Sequence, residues 1–235
     1  MIGIVLVSHS PALARAAVEL AAQMIPTGGP TIEVAAGAGG ALGTDATQVA
    51  QALTRAATPD GVLVLMDLGS ALLSAELALE LVALPDLEVR LSSAPMIEGL
   101  VAAVVRAAGG ADLETVAREA ESSLVPKQQA LCHPPSEVGA GQPAADAEES
   151  VTLTLINPAG LHARPAAQLA SAFGQLEAEV VVESAGGRAD GSSMLEILTL
   201  GAGQDTDITV SASGPDAHLA VETARTLVSQ GFGEL

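Results

Sequence analysis

A 235-residue chain with net charge −19 and a single lysine, Lys127, lacks the basic patches needed to hold nucleic acid or an anionic membrane. Hydrophobic residues make up 49% of it, but there are only two Phe and no Trp or Tyr, so any core is built from Ala, Val, Leu and Ile. The lone Cys132 excludes an internal disulfide and fits a reducing compartment.

Strand and helix patterns alternate over residues 1–123. Residues 2–7 form a continuous apolar run, as in a strand buried on both faces. Residues 11–24 follow as a helix, with Leu13, Ala17, Leu20, Ala21 and Met24 on one face. Strands are expected at 31–36, 61–66 and 87–91. Helices are expected at 45–57, capped by Thr44 or Asp45, and at 70–82, 96–108 and 112–122. Such alternation predicts an α/β fold with a doubly wound, mostly parallel sheet. Ligands of these sheets sit beyond the carboxyl ends of the strands. His9 follows the first strand and Asp67-Leu68-Gly69-Ser70 follows the third, which puts both on that edge.

Residues 124–149 carry Pro126, Pro134, Pro135 and Pro143 among Gly, Ser, Gln and acidic residues, with no apolar period. This composition predicts a flexible linker. From residue 150 the pattern changes. Strands are expected at 151–156, 179–183, from Arg188 and Ala189, and at 206–212. Helices are expected at 165–176, 193–200 and 216–229, the last with Leu219, Ala220, Ala224, Leu227 and Val228 on one side. Strands with one wet face and helices on the other predict an α+β open-faced sandwich over 150–235. The N-terminus runs directly into an apolar strand without a basic leader. No apolar run reaches the roughly 20 residues of a bilayer span. A cytoplasmic chain without membrane insertion is expected.

Two histidines thus stand at strand-to-helix junctions, in Val7-Ser8-His9-Ser10 and in Gly160-Leu161-His162-Ala163-Arg164-Pro165. The unpaired amides of a helix N-terminus hold phosphate. A neutral imidazole is a competent nucleophile near pH 7. Phosphoryl transfer otherwise needs only in-line geometry and donors for the phosphate oxygens. At His162, Gly160 permits a sharp turn, Pro165 tolerates the first helical turn, the Ala163 and Arg164 amides can face a phosphate, and the Arg164 guanidinium can add a charge-assisted contact. At His9, Asp67 can accept a hydrogen bond from Nδ1 and leave Nε2 as the nucleophile, with Gly69 and Ser70 supplying amides and a hydroxyl. Taken alone, Ser8-His9-Ser10 also fits a hydrogen-bonded loop and Asp67 a helix cap. Two such sites in one chain suggest a relay between histidines.

Residues 151–235 resemble HPr, the histidine phosphocarrier of the phosphoenolpyruvate-dependent phosphotransferase system (PTS), through Gly160-Leu161-His162-Ala163-Arg164-Pro165 and Ser192-Ser193-Met194-Leu195. The resemblance implies phosphorylation of His162 on Nδ1 by enzyme I, with Arg164 assisting. It also marks Ser193 as a regulatory phosphorylation site, although Glu196 stands where a small or basic residue is usual. The family's docking face for enzyme I is often basic, but residues 150–235 hold three arginines, no lysine and ten acidic residues, so docking must rest mainly on apolar contacts or differ in detail. Residues 1–123 resemble the mannose-type IIA domain through Val7-Ser8-His9-Ser10, Gly43-Thr44-Asp45-Ala46 and Met66-Asp67-Leu68-Gly69-Ser70-Ala71-Leu72. Sugar-transporting relatives carry a Gly-Gly-Ser-Pro-like loop after the aspartate. Gly69-Ser70-Ala71-Leu72 favours instead the dihydroxyacetone kinase branch.

A IIA–HPr fusion of this kind resembles the phosphotransfer subunit of that kinase. The resemblance implies a phosphotransferase component that needs no cofactor or metal. Enzyme I would charge His162, the group would pass to His9, and ADP on a partner kinase subunit would accept it. A homodimer through the IIA domain is implied. Since the chain ends at Leu235 without an enzyme I-like domain, a separate enzyme I is the expected donor. Two alternatives stay open: a IIA–HPr component of a mannose-type sugar transporter, and a regulatory phosphoprotein. Cys132-His133 is too short for a metal site, and His218 reads as a surface residue.

Overall fold

The computed structural model describes residues 1–25, 28–82, 86–132 and 149–234. The chain divides into two compact units, residues 1–124 and 125–235.

The first unit is a parallel sheet in the order β2-β1-β3-β4, formed by β1 (Gly3–Ser8), β2 (Ile32–Ala36), β3 (Val62–Met66) and β4 (Val89–Leu91). Successive β1 side chains feed two cores, because side chains along a strand alternate between faces. Ile2, Ile4 and Leu6 pack with Leu63 and Leu65 against α1 (Pro11–Ala22), α4 (Met96–Ala108) and α5 (Leu113–Glu121). Val5 and Val7 pack with Val62 and Val64 against α2 (Ala46–Ala56) and α3 (Gly69–Leu81). Burial on both faces is why these strands read as unbroken apolar runs. From β1 the chain crosses to β2 on one side and then to β3 on the other. The topological switch therefore falls between β1 and β3.

The helices of this unit are packed largely by alanine. Of the apolar face expected on α1, Ala17 and Ala21 are buried together with Ala14, and Met24 lies just beyond the helix end. Leu13 and Leu20, expected on that face, are 44% and 42% exposed. Alanine lets the helix approach the sheet closely, which leaves the longer leucines no room on that side.

The second unit begins with α6 (Val125–Cys132), where linker was expected. Pro126 lies in its first turn, where a missing amide has no cost. The rest of the expected linker, 133–148, lies outside the described residues, as does His133. An antiparallel sheet follows in the order β5-β8-β6-β7, from β5 (Glu149–Thr154), β6 (Glu179–Ser184), β7 (Gly187–Asp190) and β8 (Asp207–Ser213). Helix α9 (Ala217–Ser229) packs across β5, β8 and β6. α7 (Ala163–Gly174) and α8 (Met194–Thr199) pack on each other. Val180, Val182, Ile208 and Val210 are buried with Leu169, Phe173, Ile197, Val221 and Ala224. Leu219, expected on the buried side of α9, is 52% exposed, and Ala217 and Val221 are buried there. Helix α7 starts two residues earlier than expected, because His162 is its N-cap. Among the described residues, no helix is long and apolar enough to cross a membrane.

Candidate functional site

At the carboxyl end of β1, Ser8 is fully buried, and the chain turns through His9 into α1, capped by the Ser10 hydroxyl. Asp67 follows β3 on the neighbouring strand, at the topological switch, and its carboxylate organises the junction. Oδ2 accepts the His9 amide at 2.7 Å and the Ser8 hydroxyl at 2.9 Å. Oδ1 accepts the Leu68 amide at 2.7 Å and lies 2.8 Å from His9 Nδ1. On the far side of the ring, Nε2 lies 2.7 Å from Ser70 Oγ. One protonation pattern satisfies all of these contacts: Nδ1–H donates to Asp67, and Nε2 accepts from the Ser70 hydroxyl. Burial pushes the Asp67 pKa up. The His9 amide, the His9 ring and the Ser8 hydroxyl outweigh it and hold the carboxyl below its ordinary value. The Asp67 side chain is only 9% exposed, against 24% for His9, so the fixed partner sits beneath the ring.

Gly69 and Ser70 are the first two residues of α3. A Cβ placed on Gly69 would meet nothing within 4 Å, so fold packing does not demand glycine there. The space suits close approach of an anion to the α3 amides. Thr44 stands further off. Its Oγ1 pairs with Ser74 Oγ at 2.7 Å, while the neighbouring Gly43 amide holds the His9 carbonyl at 3.0 Å. Asp45, not Thr44, caps α2.

The second junction has a different construction. Gly160 has φ +62, and a Cβ there would fall 2.2 Å from the Ala202 carbonyl oxygen, so the loop before His162 requires glycine. His162 is extended at the N-cap of α7, whose first residues are Ala163 and Arg164. Its Nε2 lies 2.9 Å from both carboxylate oxygens of Glu234. The fully buried Asn157 donates from Nδ2 to the Gly160 carbonyl at 2.8 Å and to Glu234 Oε2 at 3.1 Å. Arg164 is turned toward the tail of the chain. Its Nε lies 3.5 Å from Glu234 Oε1, and Nη2 donates to the carbonyls of Phe232 and Gly233 at 3.4 and 3.3 Å. Burial raises the Glu234 pKa. Hydrogen bonds from His162 and Asn157, with the charges of His162 and Arg164, pull it below its ordinary value.

Sequence reasoning placed Asp67 and Ser70 beside His9, and both contact its ring, but it did not single out Gly43, whose amide holds the His9 carbonyl, nor Asn157 and Glu234 beside His162. Asn157 lies three residues before Gly160 and could have been suspected as a loop-holding amide. Glu234 is 72 residues away, in a tail with no local signal. Ser193 is 2% exposed and caps α8, accepting the Glu196 amide at 3.2 Å. Glu196 reaches back to accept the Asp190 amide at 2.8 Å, so the residue that looked out of place is part of the α8 start. His218 is on the surface, 3.6 Å from Glu149.

Residues 3–117 match the family described as the PTS system fructose IIA component, and residues 149–230 match the PTS HPr component phosphorylation site. The phosphoryl donor subunit DhaM of a second PEP-dependent dihydroxyacetone kinase from Listeria innocua is 34% identical over 51% of this chain and 96% of its own length. The chain belongs to this family of phosphoryl donor subunits. More specifically, it is a IIA–HPr fusion of that type. The corresponding subunit from Pantoea ananatis is 42% identical over 100% of this chain. This chain spans about half of that relative's length, 51%. The HPr of Chlamydia muridarum is 33% identical over 40% of this chain and 89% of its own length.

Proposed function

We propose that this chain is a phosphohistidine relay that serves a dihydroxyacetone kinase. The observation that carries the reading is the shared plan of the two junctions. Each histidine stands at the start of a helix, with a carboxylate on one ring nitrogen. At His9 that leaves Nε2 as the acceptor, beside the Ser70 hydroxyl and the open approach over Gly69. At His162 it leaves Nδ1, on the N-cap residue of the helix that Ala163 and Arg164 open. Enzyme I, charged by phosphoenolpyruvate, donates to His162. The group then passes to His9 and on to ADP held by the partner kinase subunit.

In the two transfers onto histidine an N–P bond forms on the acceptor ring as the donor's bond to phosphorus breaks, and helix amides receive the equatorial oxygens; in the third a terminal phosphate oxygen of ADP bonds to phosphorus as the His9 N–P bond breaks and its electron pair returns to the ring. Ser8 and Asp67 hold the His9 ring. Thr44 supports the loop behind it through Gly43. Residues 1–123 and 150–235 act as separate carriers on one tether, and tethering raises the effective concentration of one site at the other to about the millimolar range. A homodimer through residues 1–123 belongs to the same proposal. The burial of Ser193 and the acidic Glu196 beside it argue against its regulatory phosphorylation, because the residue is 2% exposed and a phosphate there would stand near a like charge.

The test is transfer of label from phosphoenolpyruvate. With enzyme I, the chain acquires acid-labile label. Adding the kinase subunit with ADP and dihydroxyacetone moves it to dihydroxyacetone phosphate. His162→Ala blocks charging, and His9→Ala leaves a chain charged at His162 alone. Normal charging of His9 by enzyme I in His162→Ala would sink the internal relay.

A further inference from the structure

We propose that α6 is a displaceable cover on α8, lying over apolar surface that a donor protein uses to reach His162. The proposal rests on the phosphocarrier reading above and adds a competitor, built into the chain, to its first step.

Helix α8 lies beside the His162 loop. Its C-cap, Leu200, stands two residues before Ala202, whose carbonyl accepts the Leu161 amide at 2.8 Å, immediately ahead of His162. With six residues, α8 is about 9 Å long. A protein that seats a phosphohistidine on another protein covers about 800 Å² of it, a patch roughly 30 Å across. Centred on the partly exposed His162 ring, a patch of that width reaches α8. The covered surface has to be apolar, because residues 150–235 offer three arginines and no lysine against ten acidic residues.

Helix α8 is also buried more widely than a single core requires. At about 100° per residue, Ile197, Met194 and Leu195 span an arc of roughly 160°, with Leu198 inside it. The first three are 0%, 3% and 7% exposed, and only Glu196 and Thr199 of this helix face water. A surface helix commonly buries a stripe of about 100°. Three neighbours fill the wider arc: α7 and β7, which belong to the sandwich, and α6, which precedes it. Among the described elements, α6 packs mainly on α8.

Helix α6 is built to let go. Its eight residues are fewer than the roughly 12–15 that an isolated helix needs in water, so it stays helical only while docked. Val125 and Leu131 remain 42% and 80% exposed, so little of its own apolar surface is committed to the contact. Docked, it keeps the α8 arc from water between encounters with the donor. Only the uncovered fraction of the chain then binds the donor, and the apparent affinity falls by that fraction.

The experiment compares the full chain with Gln128→Pro and Gln128→Ala. Gln128 is an exposed interior position of α6, where proline breaks the helix and alanine keeps it. Peroxide oxidation of Met194 is mapped by peptide mass spectrometry, and steady-state charging by enzyme I with phosphoenolpyruvate is measured against chain concentration. In Gln128→Pro, Met194 oxidises several-fold faster and KM for the chain falls by about tenfold, with kcat unchanged. Gln128→Ala matches the wild type in both. If calorimetry shows that Gln128→Pro has lost the second unit's transition, Gln128→Gly, which only weakens the helix, is read in its place. Unchanged Met194 oxidation shows that α6 does not cover α8, and an unchanged KM shows a cover that does not compete. A raised KM makes α6 part of the docking surface, and each of these three results overturns the proposal. If the wild type accepts no label, the phosphocarrier reading fails instead, and Met194 oxidation still decides whether α6 covers α8.

Discussion

Asp67→Asn tests the His9 site most directly, because one carboxylate oxygen pair accepts four donors: the His9 amide, the Ser8 hydroxyl, the Leu68 amide and His9 Nδ1–H. Asparagine offers one acceptor oxygen and one NH₂ group. With the NH₂ placed at the Oδ1 position, it opposes the Leu68 amide and forces Nδ1 to accept. The ring proton then moves to Nε2 and removes the nucleophilic lone pair. With the NH₂ placed at the Oδ2 position, it opposes the His9 amide, while Ser8 can rotate to accept. Each orientation leaves one donor facing a donor, at about 1–3 kcal/mol, and loses the charge that supports a positive ring. Tautomer inversion at a triad histidine lowers turnover by about 10⁴-fold. Charging of His9 should therefore fall by up to about 10⁴-fold in the first orientation, which inverts the tautomer, and by about 10- to 100-fold in the second, which keeps it and loses the carboxylate charge, while His162 in the other unit charges at its usual rate and serves as the internal control. The assay is rapid-quench transfer of label along the full chain, with the two phosphohistidines separated by peptide mapping. If His9 in Asp67→Asn charges within about tenfold of wild type, the argument that Asp67 sets the nucleophilic nitrogen is wrong.

Two further outcomes are expected. Gly160→Ala adds a Cβ 2.2 Å from the Ala202 carbonyl oxygen at a φ of +62. The left-handed conformation costs about 1–2 kcal/mol and the overlap about 1–3 kcal/mol more. For a unit this small that lowers the thermal midpoint by roughly 10 °C or more, and calorimetry should show the loss in the second unit's transition alone. The acid limb of the first unit's stability should carry an Asp67 contribution. Its folded pKa is lowered, so the stabilisation is complete above the ordinary carboxylate value of 3.8 and is lost as pH falls through the lower folded value. The stability difference between wild type and Asp67→Asn in urea titrations should therefore hold constant at neutral pH and shrink below about pH 3.8. A difference that instead grows on acidification contradicts the assignment.

What the sequence made legible depended on how local the determinants are. The His9 site was readable because a parallel sheet brings the ends of its strands to one edge, so placing His9 after β1 and Asp67 after β3 was enough to bring them together. The buried strands were readable because Ile2 to Val7 and Val62 to Met66 can only face two cores. Helix faces were less so. On α1, Ala and Leu alternate so densely that the apolar period does not distinguish an alanine face from a leucine face. The closeness of the sheet, a tertiary property, selected Ala14, Ala17 and Ala21 and left Leu13 and Leu20 outside. Pro126, one of the prolines in the expected linker, stands in the first turn of α6. The partner of His162 was unreadable for a physical reason. In an antiparallel α+β unit the last helix lies across the sheet, and where its tail returns is set by the packing of Phe232 and by two left-handed glycines, not by any spacing from the motif. Asp67 had a topological rule to predict it and Glu234 had none, yet they contact their rings at 2.8 and 2.9 Å. The two carboxylates meet opposite ring nitrogens. In the proposed relay the phosphorus would pass from Nδ1 of His162 to Nε2 of His9, in each case the ring nitrogen that the carboxylate leaves unoccupied.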